Sequence, residues 1–320
     1  MVTPITAVVE SCAVEKLEVR MAIVGTMKAG KSTILNAIMG YELLPSRNTA
    51  MTTLPTEMSF SRHTEQPQLI LKSELITTIN NIGRELKLKS NERNLENRLR
   101  NDEDLIKMMN NLSTNELMTL EATTYGNLKI VDSLKYINDV VRISIMLNIE
   151  NTINSTWIPR LRGGALPFLY SKENAPPLPR LKVPLPHSFS IPKGELIIID
   201  TSGPNDSNLS AHLRQIVISQ LQRATLILVA VKFIGSDSTD EAKLQEDIET
   251  IREYRDTDGS SYLYALVNKI DQRIEGKQNS IEQTKAAVAT KYKIPLANVC
   301  GKKWHEMVCA PYSITFRFRS

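Results

Sequence analysis

The chain has 320 residues, 42% hydrophobic and 23% charged, with a formal net charge of +4. That is enough apolar material for one large or two modest domains, and too little excess charge for a dedicated nucleic-acid binder. Three scattered cysteines (Cys12, Cys300, Cys309) and four isolated histidines (His63, His187, His212, His305) make neither a disulfide framework nor a zinc site, so a reducing, cytoplasmic setting is expected.

No run of about 18 apolar residues occurs, so no transmembrane helix is expected. The opening MVTPITAVVESCAVEKLEVR carries Glu10 and Glu15 and has no basic flank before an apolar stretch, so it does not read as a signal peptide. The first strand is expected at Val19–Val24 (VRMAIV), running through a glycine-rich turn into a helix at Ser32–Ile38. Met58–Phe60 and Leu69–Leu71 read as short strands. From about Ser73 the spacing of Leu, Ile and Met turns to three and four residues, which predicts amphipathic helices at Glu74–Leu86, Glu92–Leu112, Thr114–Ala122 and Val131–Leu147. The proline-rich stretch 174–187 (NAPPLPRLKVPLPH) has two readings, a ligand for an aromatic groove and a stiff connector back to the sheet; the connector is preferred. Strands at Gly194–Asp200, Thr225–Val231 and Tyr262–Val267 then alternate with helices at Leu209–Arg223, Thr239–Tyr254 and Ser280–Lys291. Near-continuous apolar strands between helices predict an α/β fold, a mostly parallel sheet covered on both faces.

Three motifs carry chemistry. Gly25-Thr26-Met27-Lys28-Ala29-Gly30-Lys31-Ser32 is a full phosphate-loop pattern between a strand and a helix. Its glycines let successive N–H groups form an anion nest, and the following helix adds its positive end. The phosphate contacts are assigned to Gly25, Lys28, Ala29, Gly30, Lys31, Ser32 and Thr33, with Lys31 reaching the β- and γ-phosphates and Ser32 ligating magnesium. Asp200-Thr201-Ser202-Gly203 follows the strand GELIIID directly. There Asp200 can hold a magnesium-bound water and the Gly203 N–H can touch the γ-phosphate. Asn268-Lys269-Ile270-Asp271 ends the strand YLYALV. The Asp271 carboxylate can accept from both N1–H and the exocyclic amine of guanine, a donor pair adenine lacks. The Lys269 stem packs on the base, and Asn268 ties this loop to the phosphate loop. In this order the three motifs predict a GTP/GDP site with Mg2+ rather than an ATP site.

Residues 21–58 (MAIVGTMKAGKSTILNAIMGYELLPSRNTAMTTLPTEM), 197–205 (IIIDTSGPN) and 263–272 (LYALVNKIDQ) resemble dynamin-superfamily GTPase domains. Within these they are most similar to bacterial dynamin-like proteins of the clamp-binding, replication-fork-colocalisation type. The resemblance implies a three-layer P-loop GTPase domain over residues 19–300, preceded by an N-terminal segment, 1–18. It further implies that a Thr-x-x-Pro threonine of the first switch loop binds magnesium and positions the attacking water. Thr52-Thr53-Leu54-Pro55 matches, with Thr52 the first choice, Thr53 the second and Thr49 the third. The residue after Gly203 is Pro204 rather than a water-orienting glutamine. The resemblance assigns the catalytic work instead to Thr52, Lys31, Met27 and Lys28, with stimulation by pairing of two GTPase domains. Dynamin has a serine where this chain has Lys28, and that serine helps hold a monovalent cation; a lysine there can supply the positive charge itself.

Ser202 replaces the usual proline of the second motif, and residues of about 73–186 form a long insertion, read either as a helical module or as a packing extension. The end, CGKKWHEMVCAPYSITFRFRS, has no helical period, so 301–320 is expected to be an aberrant or disordered tail. No stalk or membrane-engaging tip follows, so membrane remodelling by this chain alone is not expected. A truncated module that holds nucleotide without hydrolysing it is the alternative. A replication clamp enters as a partner only by likeness to the clamp-binding proteins, because the 18 residues before Val19 hold no glutamine-led apolar-aromatic motif.

Overall fold

The computed structural model describes residues 18–25, 29–45, 53–90, 95–99, 102–114, 117–147, 149, 177–185, 195–201, 223–233, 263–270 and 279–301, with isolated positions between 216 and 252. Among them nine strands form a single sheet. In chain order they are β1 (Glu18–Gly25), β2 (Thr56–Ser61), β3 (Gln68–Ile70), β4 (Thr123–Tyr125), β5 (Arg180–Pro184), β6 (Glu195–Asp200), β7 (Leu226–Lys232), β8 (Leu263–Asn268) and β9 (Val299–Gly301). Across the sheet the order is β4-β3-β5-β2-β6-β1-β7-β8-β9. From β6 to β9 every pairing is parallel, and β6, β7 and β8 are near-continuous apolar runs because both of their faces are buried. The other half is mixed. β2 runs antiparallel to β6 but parallel to β5, and β3 is antiparallel to both β5 and β4.

Two apolar clusters lie on opposite faces of the sheet. On one face, α1 (Lys31–Met39), α2 (Ser73–Lys89), α4 (Glu103–Thr114) and α5 (Asn127–Met146) cover Ile23, Met58, Phe60, Leu69, Leu181 and Ile198. On the other, Leu221, Leu244, Ile248 and α6 (Ile281–Lys291) cover Val24, Ile199, Val229 and Ala265. This helix–sheet–helix sandwich is the three-layer α/β architecture expected, and the strands flanking the phosphate loop fall within a residue or two of their expected bounds. α6 starts where the sequence says it should. Ser280 caps it, its hydroxyl accepting from the Gln283 N–H while the Gln283 side chain accepts from the Ser280 N–H, a capping box.

The insertion departs from its expected helical character in three places. The helix expected at Glu92–Leu112 is broken into α3 (Leu95–Arg98) and α4. Asp102 makes the break by capping α4, its Oδ1 accepting from the Leu105 N–H at 3.3 Å, with Arg142 3.6 Å from its carboxylate. Of the helix expected at Thr114–Ala122, residues 117–122 carry no regular structure. The Ala122 carbonyl accepts from the Leu71 N–H at 2.9 Å, one step beyond the Ile70–Thr123 pair that ends the β3–β4 ladder. The preferred connector reading of 174–187 misses β5, an internal strand flanked by Pro179 and ending on Pro184, so its prolines bound the ladder rather than interrupt it. The described residues of 73–186 therefore extend the sheet through β4 and β5 and share the main core with α1. The expected tail lies outside the described residues from position 302, and Gly301 itself belongs to β9.

The mixed half carries a charge network on the face opposite its helices. Glu57 on β2 sits beside Arg180 on β5 in direct register, with Nε and NH2 of Arg180 at 3.2 and 3.0 Å, and it also pairs with Arg20 of β1. Burial alone would push the Glu57 carboxyl up, but the two guanidinium groups and their hydrogen bonds hold it below its ordinary value.

Candidate functional site

The site is built where β1, β6 and β8 end. All three run parallel, so their carboxyl ends open on one edge of the sheet, the edge at which α/β proteins place their ligands. Gly25 closes β1. A methyl group at that position would collide with the main-chain carbonyl of Ala230 on β7, so only glycine lets the two strands approach this closely. Gly30 caps α1 in the left-handed region at φ 86°, and a Cβ there would come within 2.5 Å of the Asn268 amide nitrogen.

Lys31 opens α1 and is buried at 9% exposure, with its ammonium donating to the Gly25 carbonyl at 3.0 Å. Burial lowers its pKa, and the neighbouring Asp200 carboxylate partly offsets this. Ser32 donates from Oγ to Oδ2 of Asp200 at 3.1 Å, so the hydroxyl and carboxylate meet beside the helix N-terminus. Asp200 is 1% exposed, and Thr201 after it is locked by a 2.7 Å hydrogen bond from its hydroxyl to the Ile23 carbonyl. This set of oxygen donors at the positive end of a helix has the chemistry magnesium and phosphate require. Ala29 is fully buried and Thr33 is exposed.

At the end of β8, Asn268 donates from Nδ2 to the Ala29 carbonyl at 2.8 Å, which joins the third motif to the first across 239 residues. Its own carbonyl accepts from the Phe233 N–H at 2.9 Å. Lys269 follows with φ 61°, a left-handed conformation that costs a non-glycine residue roughly 1 kcal/mol. The sheet therefore brings together Gly25, Ala29, Gly30, Lys31, Ser32, Asp200, Asn268 and Lys269. Met27, Lys28, Thr49, Thr52, Gly203 and Asp271 lie outside the described residues. Thr53 is 2% exposed and belongs to the buried segment that leads into β2.

Two asparagines that sequence reasoning passed over hold the chain on either side of residues 46–52. Asn36 on α1 accepts at Oδ1 from the N–H groups of Leu43 and Leu44 (3.2 and 2.8 Å) and donates from Nδ2 to the Leu44 carbonyl at 2.8 Å. Asn138 on α5 accepts at Oδ1 from the N–H groups of Thr53 and Leu54, at 2.7 and 3.0 Å. The available signal was a poor helix former in the middle of an apolar helical stretch (ILNAIM and YINDVV), a place such residues occupy when the side chain has a backbone partner.

The family model described as "Dynamin family" matches residues 21–269, from β1 to the residue after Asn268. Two curated relatives, both called "Clamp-binding protein CrfC" (from Escherichia coli strain K12 and from Escherichia coli), are 30% identical over 283 residues. Each alignment covers 86% of this chain and 34% of the relative, so the chain spans about a third of the length of the curated relatives it matches. A solved structure described as "An oligomerised bacterial dynamin pair provides a mechanism for the long range sensing and tethering of membranes" superposes with a TM-score of 0.42 at 14% identity, over 94% of this chain and 41% of that one. No helix among the described residues is long and apolar enough to cross a membrane. The matched stretch runs unbroken from the strand that feeds the phosphate loop to the loop that Asn268 ties back to it, and by that match the chain belongs to the dynamin family.

Proposed function

We propose that the chain binds guanine nucleotide with Mg2+ and hydrolyses GTP to GDP and phosphate by in-line attack of water. The observation that carries this reading is the meeting of Lys31, Ser32 and Asp200 at the N-terminus of α1, with the Asn268 loop tied to Ala29 beside them. Lys31 and the phosphate-loop amides from Gly25 to Thr33 neutralise the phosphates. Ser32 and Thr52 would hold magnesium directly and Asp200 would hold it through water; the ion supplies charge neutralisation at the phosphates. Asn268 positions the base loop, the Lys269 stem covers the ring, and Asp271 selects guanine. Gly203 donates its N–H to the γ-phosphate. With Pro204 where a glutamine would orient water, turnover is slow until a second GTPase domain pairs across the nucleotide, with Met27 and Lys28 contributing from the phosphate loop.

Titration with fluorescent GTP and ATP analogues in magnesium tests the site. The expected result is selective GTP binding that Lys31→Ala abolishes and that Asp271→Ala strips of its preference for guanine. Turnover per molecule should rise with protein concentration over a hundredfold range, and a flat profile removes the pairing step. Guanine nucleotide bound with no phosphate released would leave the non-hydrolysing module as the reading. The name of the CrfC relatives brings a replication clamp as a second partner, and a pull-down with the sliding clamp that comes up empty removes it.

A further inference from the structure

We propose that Asn138 is a positioning residue for the nucleotide reaction, anchoring the chain just after Thr52 to a helix of the insertion. The inference rests on the hydrolysis reading above and adds to it a residue outside all three nucleotide motifs. Asn138 lies in the buried face of α5, 4% exposed, among Leu134, Ile137 and Val141. A polar amide in such a place is unfavourable unless its groups are satisfied. Here they are: Nδ2 donates to the Leu134 carbonyl at 2.9 Å, one turn back, and Oδ1 accepts from the successive N–H groups of Thr53 and Leu54.

Successive N–H groups of a straight strand point to opposite sides, so two of them on one oxygen require a bent chain, and residues 53 and 54 form a bend. Two residues later Thr56 enters β2 in register with Asp200 on β6. The four-residue segment 53–56 is therefore pinned at one end by α5 and at the other by the strand that carries Asp200. Its position relative to Asp200 is set by a side chain contributed from the 73–186 stretch. Asn36 makes the equivalent contact to Leu43 and Leu44 from the phosphate-loop helix. The chain entering residues 46–52 is thus fixed by α1 and the chain leaving them by α5. This gives the insertion a mechanical connection to the site, because a shift of α5 moves the 53–54 amides with it.

The test compares wild type, Asn138→Leu and Asn138→Asp in the full 320-residue chain. Leucine matches the volume but offers no acceptor; aspartate keeps an acceptor oxygen for both amides and, in the neutral acid form that burial favours, an O–H for the Leu134 carbonyl. Amide hydrogen exchange in a peptide containing Thr53 and Leu54 should accelerate at least about tenfold in Asn138→Leu, since two buried donors lose their partner. In the same variant kcat for GTP should fall about tenfold or more while GDP affinity stays within about twofold, because the phosphate loop and the Asn268 loop are untouched. Asn138→Asp should recover most of both. Unchanged exchange in Asn138→Leu overturns the anchor, and faster exchange with unchanged kcat overturns its role in turnover. Equal loss of GDP and GTP binding reduces Asn138 to a packing residue and overturns the proposal. A wild-type chain that binds no guanine nucleotide removes the function proposed above and the turnover role with it, while the exchange measurement still decides the anchor.

Discussion

The two halves of the sheet solve the same burial problem differently. In β6, β1, β7 and β8 both faces meet apolar residues, and the sequences ELIIID, LILVAVK and LYALVN show it as unbroken hydrophobic runs. In β2, β3 and β5 the sequences TEMSFS, QLI and RLKVP alternate, with their apolar side chains turned toward α2, α4 and α5 and polar ones on the other face. On the other face β2 and β5 present Glu57, Ser59, Arg180 and Lys182, in register with the apolar Ile199 and Ile197 of β6. The change from apolar to polar is complete within one strand. The parallel half therefore needs helices on both sides and builds the site at its carboxyl edge. The mixed half packs its apolar side chains on one helical layer and pairs charged groups on the other face, and it meets the site through the backbone leading into β2.

That contrast can be broken by exchanging residues on the shared face. Val229→Lys buries an ammonium in the parallel half, where Val24 and Ala265 are its strand neighbours and no acid is in register with it. A cost above about 5 kcal/mol is expected, enough to prevent folding. Lys182→Leu, on the same face of the mixed half, should change stability by less than about 0.5 kcal/mol. Denaturant unfolding reads both, and a well-folded Val229→Lys chain would show that this face is not sealed.

Glu57→Gln comes next, at about 3 kcal/mol, because it takes the carboxylate from the buried Arg20, which keeps its contact to the Gln220 side chain, and from the more exposed Arg180. Since the folded-state pKa of Glu57 is below its ordinary 4.5, its contribution is present above that value and is lost as pH falls through the folded value. The stability gap between wild type and Glu57→Gln should accordingly narrow on acidification. A gap independent of pH would assign the cost to packing alone.

Gly30→Ala carries a left-handed strain and a clash with the Asn268 amide, together about 1–2 kcal/mol. Its signature is a loss of guanine-nucleotide affinity larger than the loss of stability, measured by titration beside thermal unfolding. Among the substitutions that cost stability, the mildest is expected at the helix that covers the far end of the parallel half, with only Lys182→Leu below it. Ser280→Ala removes one side of the capping box and should cost about 1 kcal/mol with nucleotide binding unchanged.

The amino-acid sequence by itself determined the elements whose cause is local. β1 and α1 on either side of the glycine-rich turn, the continuous runs of β6, β7 and β8, and the start of α6 at Ser280 all follow from conformational preferences and periodicities within about ten residues. Membership in a nucleotide-binding α/β class followed from the order of three such motifs along the chain. The tertiary structure alone decided whatever depends on distant partners. Residues 117–122 lead without a helix into β4, where the Ala122 carbonyl meets Leu71, and 180–184 is a strand because β2 and β3 flank it. Asn138 matters because a bend 84 and 85 residues earlier in the chain offers two amides to one oxygen. Helical spacing at 114–122 and a proline-rich composition at 174–187 were true of the sequence, but hydrogen bonds to remote strands outweighed them.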